Sequence, residues 1–244
     1  MDSKQVLKTE ISTTRIEDVA NFLCDNKSKT VAICNANTLV RAYRNSEIKK
    51  LIDSFDVKAP DGFPVAKSIK ILTRKNQKRV DGFNVFHKTI EYGISKNISH
   101  YFFGNNENVV LGMIKELEIL YPNINISGFY CPPLTTLEKL TDKKYVNDLI
   151  EKNPDIVWVS LGFPKQEKFI EKIKSIYSIQ SNFVGVGAVF EWVAGTKLKA
   201  PEWLANIGLE WMLRLAQEPK RLFKRYLIDN FLFIVYFAKQ YLSK

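Results

Sequence analysis

The chain has 244 residues, 45% of them hydrophobic, with 36 Lys and Arg against 26 Asp and Glu and a net charge of +10. These are the proportions of a globular protein with a sizeable core, in one large domain or one domain with an appendage, and the charge points to an anionic partner: nucleic acid, a phosphorylated substrate or anionic lipid. Three widely spaced cysteines, Cys24, Cys34 and Cys131, argue against a disulfide framework and for a reducing compartment.

The first 18 residues, MDSKQVLKTEISTTRIED, lack the apolar stretch of a signal peptide, so a cytoplasmic protein is expected. The first predicted strand is TVAIC (30–34), followed by a helix after Asn37. FDVKA (55–59) is a second strand and runs into Pro60-Asp61-Gly62. Asp61 on this turn has two readings. It caps the following helix, since Asp accepts hydrogen bonds from free N–H groups, or it is a catalytic base held rigidly at a strand end.

Further strands are predicted at HYFFG (100–104), NINISGFY (123–130), DIVWVSLG (155–162) and NFVGVGAVF (182–190), separated by helical patterns such as ENVVLGMIKELEILY (107–121). The alternation is a βαβ series. Runs such as 156–161 are apolar on both faces, as strands of a helix-covered parallel sheet are. The predicted fold is α/β, a Rossmann-like parallel sheet flanked by helices, over residues 1–195.

In such sheets ligands bind beyond the carboxyl ends of the strands. Those ends carry Asn35 and Asn37, Asp61, the turns at 104–106 and 128–133, Lys165, Gln166 and Glu167 in GFPKQE, and Gly187 in GVGA. They suit close backbone approach to a polar ligand, and equally suit ordinary βα turns. No complete Gly-x-Gly-x-x-Gly fingerprint, Walker loop or Gly-x-Ser-x-Gly elbow is present, which disfavours a conventional dinucleotide site. His87 and His100 make no zinc spacing with each other or with the cysteines, and no Asp-x-Asp pair is available to hold a divalent ion on a diphosphate. No metal or other cofactor is expected. Bound phosphates are expected to meet backbone amides and basic side chains.

From 196 to 244 nine Lys and Arg face four Asp and Glu, half of the chain's net charge. Trp203, Ile207, Trp211 and Leu215 recur every fourth residue. At about 100° per residue Leu222, Phe223, Tyr226 and Leu227 gather on one face, almost opposite Lys220, Arg221, Lys224 and Arg225. FLFIVYF (231–237) is too short to span a bilayer, which takes about 20 apolar residues. The tail reads as a basic amphipathic helical appendage resting on anionic lipid, or as a terminal helical hairpin packed on the domain with its basic face solvated. Nucleic acid is the weaker partner, because no binding motif accompanies the charge.

PDGFPV, SLGFPKQEKFI and the run from GVGAVFEWVAGTKLKAPEW through GLEWMLRLAQEPKRLFKRYL together resemble the WecG/TagA/CpsF glycosyltransferases, glycosyltransferase family 26, from about Thr30 to about Leu227. The resemblance implies metal-independent, inverting transfer of a sugar, of N-acetylmannosamine type or a related hexose, from a UDP-sugar to a polyprenyl-diphosphate-linked acceptor sugar. It places the enzyme peripherally on the inner face of the cell membrane, in teichoic acid, capsule or O-antigen type synthesis. A homo-oligomer is compatible with it. By the same resemblance Asp61 is the general base, Asn35, Arg79 and Gln166 line the site, and Arg214, Arg221 and Arg225 meet diphosphate. Asn37, Lys165 and Gly187 complete the candidate substrate contacts. The chain departs from its relatives at Ile33, where threonine is frequent, and at Asn37, where Glu or His is frequent. A non-catalytic peripheral protein that binds lipid-linked diphosphate is the competing reading; it needs the tail but not Asp61.

Overall fold

The computed structural model describes residues 1–243, with the side chain of Arg225 outside the described set. The chain opens with a hairpin of β1 (Ser3–Val6) and β2 (Thr9–Ser12), then α1 (Ile16–Asp25), β3 (Thr30–Cys34), α2 (Ala36–Arg44), α3 (Ser46–Asp53) and β4 (Val57–Pro60). Next come α4 (Phe63–Thr73), α5 (Gly82–Ile94), β5 (Ser99–Gly104), α6 (Glu107–Leu120), β6 (Asn125–Tyr130), α7 (Leu137–Leu140), α8 (Lys143–Lys152) and β7 (Ile156–Ser160). After α9 (Lys165–Ile176), β8 (Asn182–Gly185) and α10 (Val189–Val193), the appendage follows as α11 (Glu202–Asn206), α12 (Glu210–Gln217), α13 (Pro219–Phe223), a π-helical turn (Lys224–Ile228) and α14 (Asp229–Leu242).

Strands β3 to β8 form one parallel sheet in the order β4-β3-β8-β7-β5-β6. Side chains alternate between its two faces, as the period of two requires. Ala32, Cys34, Phe103, Val157, Val159 and Phe183 enter one core, while Val31, Phe102, Ile156, Trp158 and Val184 enter the other. Helices cover both faces, so the central strands are almost wholly buried and mostly apolar. The chain leaves β3 toward β4 at one edge and then crosses to β5. That reversal puts the crevice over the carboxyl ends of β3, β7 and β8.

All six predicted strands are present. The opening hairpin is not among them: its strands are four residues each, and SKQV carries too little apolar alternation to announce one.

The tail also differs from its sequence reading. Trp203 to Leu215 is not one helix, because Gly208 adopts φ 84°, and a side chain there would stand about 3.0 Å from the Phe63 ring. The chain turns at that glycine, as only glycine does without strain. The π-helical turn then shifts the helical phase. Leu222 is buried, while Phe223 and Leu227 stay exposed. The predicted apolar face is thereby split.

Helix α14 packs on α2 and α4. Phe233 is buried there, Tyr236 stacks on Tyr43 with ring centroids 4.5 Å apart, and the Gln240 amide accepts from Leu7 N–H at 2.6 Å and donates to Gln5 C=O at 3.0 Å. The hairpin therefore serves as a clamp for the last helix. Among the described residues no helix is long and apolar enough to cross a membrane.

Candidate active site

Asp61 follows β4 directly, and its N–H donates to the Cys34 carbonyl at 2.9 Å, holding the turn to the end of β3. Gly62, at φ 78° and ψ 154°, is the N-cap of α4 and offers no side chain, and Pro64 occupies the first turn. The Asp61 carboxylate accepts no hydrogen bond from a described residue, so the capping reading fails. The side chain is half-buried. Burial, then Glu210 and Asp81, push its carboxyl up to about 7, against the opposing pull of Arg79 and Arg214. A carboxylate poised near neutrality suits general base catalysis.

The neighbours arrive from two directions. Val80 N–H donates to the Pro60 carbonyl at 2.8 Å, which ties Arg79-Val80-Asp81 to the end of β4. Asp81 caps α5, accepting from Asn84 N–H at 3.1 Å. The appendage delivers Glu210, whose carboxylate accepts from Arg79 Nη1 at 2.8 Å. The Arg79 side chain is only 9% exposed, with Asp81 3.7 Å from Nη2, and that Nη2 lacks a hydrogen-bond partner among the described residues. A buried guanidinium donor in this state offers a strong contact to an anion.

Two cavities meet at Asp61. The first, about 290 Å³, lies at the carboxyl ends of the central strands and is walled by Ser160, Gly162, Gln166, Gly187, Glu191 and Trp192, among others. The second, about 480 Å³, is apolar and lies between the start of α4 and the appendage, walled by Phe63, Ile207, Trp211, Leu227, Phe231 and Ile234. Asn35, Asp61, Glu210 and Arg214 line both.

The other predicted residues divide by position. Asn35 lines the junction while capping α2, its side-chain oxygen accepting from Thr38 N–H at 3.2 Å. Gln166 is buried, and its Oε1 accepts from both Gly162 N–H and Gly187 N–H at 3.2 Å, so it joins two turns of the polar wall. Its Nε2 donates to Glu167 Oε1 at 2.9 Å. A Cβ on Gly185 would stand 2.7 Å from that nitrogen, which accounts for glycine there. Gly187, at φ 60°, presents bare backbone to the cavity.

Arg214 lies over the Trp192 ring at 4.9 Å. Arg221 reaches the polar cavity while paired with Glu218. Lys197 bridges Glu218, at 3.1 Å, to Glu191, at 2.6 Å, and so ties the appendage to α10. Asn37 lines only the apolar cavity, and its Nδ2 donates to Asp229 of α14. Lys165 lines neither cavity; its Nζ donates to the Thr135 carbonyl at 2.9 Å. The Arg225 side chain lies outside the described residues.

Glu210 and Trp192 were missed by the search of strand ends. Glu210 lies far down the chain on α12, four residues before Arg214. That helical spacing, which puts an acid and a base on one face, was the available signal. Among the described residues no three His, Cys, Asp or Glu side chains gather to hold a metal ion.

The chain is 27% identical over 213 residues to the N-acetylglucosaminyldiphosphoundecaprenol N-acetyl-beta-D-mannosaminyltransferase of Bacillus subtilis (strain 168), covering 86% of this chain and 80% of the relative. Proteins of the same name are similar at 28% over 200 residues in Bacillus spizizenii (strain ATCC 23059 / NRRL B-14472 / W23), covering 82% and 76%, and at 24% over 231 residues in Staphylococcus aureus (strain MW2), covering 94% and 89%. A sequence model of the Glycosyl transferase WecG/TagA/CpsF family matches residues 4–244, nearly the whole length. With that match spanning sheet, crevice and appendage alike, the chain belongs to the WecG/TagA/CpsF family of glycosyltransferases.

Proposed function

We propose that the protein is an inverting, metal-independent glycosyltransferase that moves a hexose of N-acetylmannosamine type from a UDP-sugar to a sugar carried on polyprenyl diphosphate, working peripherally at the inner face of the cell membrane in envelope polysaccharide synthesis. The observation that carries the reading is the position of Asp61 at the junction of a polar and an apolar cavity. The polar cavity offers backbone turns and arginines to a nucleotide sugar. The apolar one offers a path for the first isoprene units of an acceptor, and its mouth opens among the exposed side chains of Ile207, Phe231 and Ile234. The names of the Bacillus and Staphylococcus relatives support this acceptor and this donor sugar.

In the reaction the acceptor hydroxyl attacks the anomeric carbon, forming a new C–O bond as the bond to the UDP oxygen breaks on the opposite face. The hydroxyl proton passes to Asp61. The bond's electron pair leaves with UDP, whose growing charge meets Arg214 and Arg221 on the polar cavity, Arg214 being placed in advance over Trp192, while Arg79, held by Glu210, lines the apolar cavity on the acceptor side. General base catalysis of this kind contributes about 10²- to 10⁴-fold. Arginines doing the work of a divalent ion make the transfer independent of added metal.

The test is a panel of UDP-sugars with a polyprenyl-diphosphate N-acetylglucosamine acceptor in excess EDTA, read as a product mass increment and the anomeric configuration by NMR. An inverted product formed in EDTA is expected. Abolition by EDTA with rescue by magnesium or manganese would overturn the metal-independent mechanism, and lipid-diphosphate binding without transfer of any donor would favour the non-catalytic reading.

A further inference from the structure

We propose that α4, a helix of the catalytic sheet domain, is a second membrane-contacting surface that works beside the appendage and takes an anionic phospholipid bilayer as its partner; this rests on the peripheral placement argued above. Its inner face, Val65, Ala66, Ser68 and Ile69, is buried. Its outer face is unusual for a solvated helix. Phe63, Lys67, Lys70 and Ile71 fall within a stripe about 100° wide at about 100° per residue, and all four are exposed, Phe63 at 42% and Ile71 at 40%. Arg74 follows at the C-cap, also exposed. The stripe holds aromatic, aliphatic and basic side chains and no acid, the composition of a helix lying in the interfacial plane of an anionic membrane.

Charge and continuity identify the partner. The side chains of Lys67, Lys70 and Arg74 make no ion pair or hydrogen bond with a described residue, and no acid stands on the stripe, so the positive charge of this face is not neutralised by the fold. Lys67 and Lys70 line an open cavity of about 770 Å³ whose basic residues outnumber its acids, Glu17, Asp81 and Glu202, by five to three. Phe63, Arg79 and Ala205 line both this basic cavity and the apolar one, so the basic ground adjoins the groove assigned to the lipid chain. Helix α14 packs against α4 and exposes its own apolar stripe of Phe231, Ile234 and Val235. One surface, apolar where the lipid chain enters and basic beside it, results.

The consequence is geometric. Asp61 lies two residues before Phe63, at the start of α4, so a bilayer seated on α4 sets the height of the base above the headgroups. The acceptor sugar, held at that depth by its lipid-linked diphosphate, brings its hydroxyl to the base without a search perpendicular to the membrane. The appendage supplies attachment; α4 supplies registration.

The experiment is co-sedimentation of the full chain with vesicles of phosphatidylglycerol and phosphatidylcholine, against pure phosphatidylcholine, for wild type, the double variant Lys67→Gln/Lys70→Gln and, separately, Ile71→Ser. A basic residue near an anionic surface contributes about 1 kcal/mol, so the double variant loses roughly 30-fold in vesicle affinity. The loss disappears in high salt. All three proteins retain the same melting temperature and the same turnover on a short-chain, water-soluble acceptor. Glycerol phosphate in millimolar excess does not displace the wild type from vesicles. Wild-type vesicle affinity in the double variant would overturn the proposal and leave the peripheral reading standing. Absence of vesicle binding by the wild type would overturn both, and displacement by glycerol phosphate would overturn the bilayer in favour of a soluble anion in the basic cavity.

Discussion

The carboxyl edge of the sheet and the appendage bring opposite kinds of order to one reaction centre. At the sheet edge, Asp61 and Gln166 sit on backbone fixed by parallel strand pairing and by hydrogen bonds such as Asp61 N–H to Cys34. Gly208, the π turn and helices of five to eight residues shape the stretch of appendage before α14, which has few buried side chains and is held mainly by ion pairs, Arg79 to Glu210 and Lys197 to Glu191 and Glu218. These pairs are part-buried, with Arg79 9% and Lys197 25% exposed, and they stand in for the apolar packing that the segment lacks. The centre is thus half rigid and half loosely attached, which suits the proposed entry of a lipid-linked acceptor from one side.

Cutting that difference at its weakest point has the largest effect. A chain ending before Trp203 loses Glu210, Arg214 and the wall of the apolar cavity, and it bares Tyr43 and the hairpin carbonyl of Gln5. Transfer to long-chain acceptors is expected to vanish, and binding to anionic vesicles to fall to the weak remainder that α4 provides. Undiminished vesicle binding would place the attachment surface elsewhere.

Asp61→Asn comes next and probes the rigid half. Turnover falls by at least about 10²-fold, with donor affinity close to wild type, because the lost proton acceptor operates only in the transition state. Stability moves the other way. Since the folded carboxyl titrates near 7 instead of 3.8, the native state holds a proton that the unfolded state releases between those values, and stability declines as pH rises through that window. Asparagine escapes this cost. The variant therefore melts above wild type at pH 8, with the gap closing toward pH 4, and wild-type turnover climbs with pH through about 7. Turnover within a few-fold of wild type would remove Asp61 from the mechanism and turn attention to Asp81, Glu167 and Glu191.

A smaller effect is expected at Gln166→Ala. The N–H groups of Gly162 and Gly187 lose their acceptor and turn to the cavity, at about 0.5–1.5 kcal/mol for each hydrogen bond lost. The melting temperature drops and the polar wall loosens, raising KM for the donor more than it lowers turnover. An unchanged KM would make Gln166 a structural tie alone. The smallest effect belongs to Lys165→Ala: its ammonium reaches the Thr135 carbonyl and lines neither cavity, so turnover and donor KM stay within about twofold, in line with surface changes that cost under about 0.5 kcal/mol. A tenfold rise in donor KM would bring Lys165 back to the substrate.

How legible these two regions were in the sequence follows from their physics. The six sheet strands and their turns could be read because burial on both faces demands continuous apolar runs and because the turns demand Gly, Asn, Pro and Asp. Asp61, Asn35, Gln166 and Gly187 therefore could be placed on strand-end turns, and all four line the polar cavity. Hairpin β1–β2 was silent, since strands this short and polar are stabilised by packing against β4 and α4 and by the Gln240 hydrogen bonds from α14, which the local sequence does not announce.

Local sequence determined that residue 61 is an acid on a tight turn after a buried strand, and that the tail is basic and aromatic. Tertiary structure decided the rest. A positive-φ turn at Gly208 and a π turn at Lys224–Ile228 reset which side chains face inward, a small backbone change whose result depends on what the next helix packs against. The carboxyl of Asp61, which caps nothing, is pushed up to about 7 by burial and then by Glu210, 149 positions along the chain, and Asp81, which only the fold brings beside it. Charge interactions and burial depend on distance in space, not along the chain, and only the folded arrangement supplies those distances.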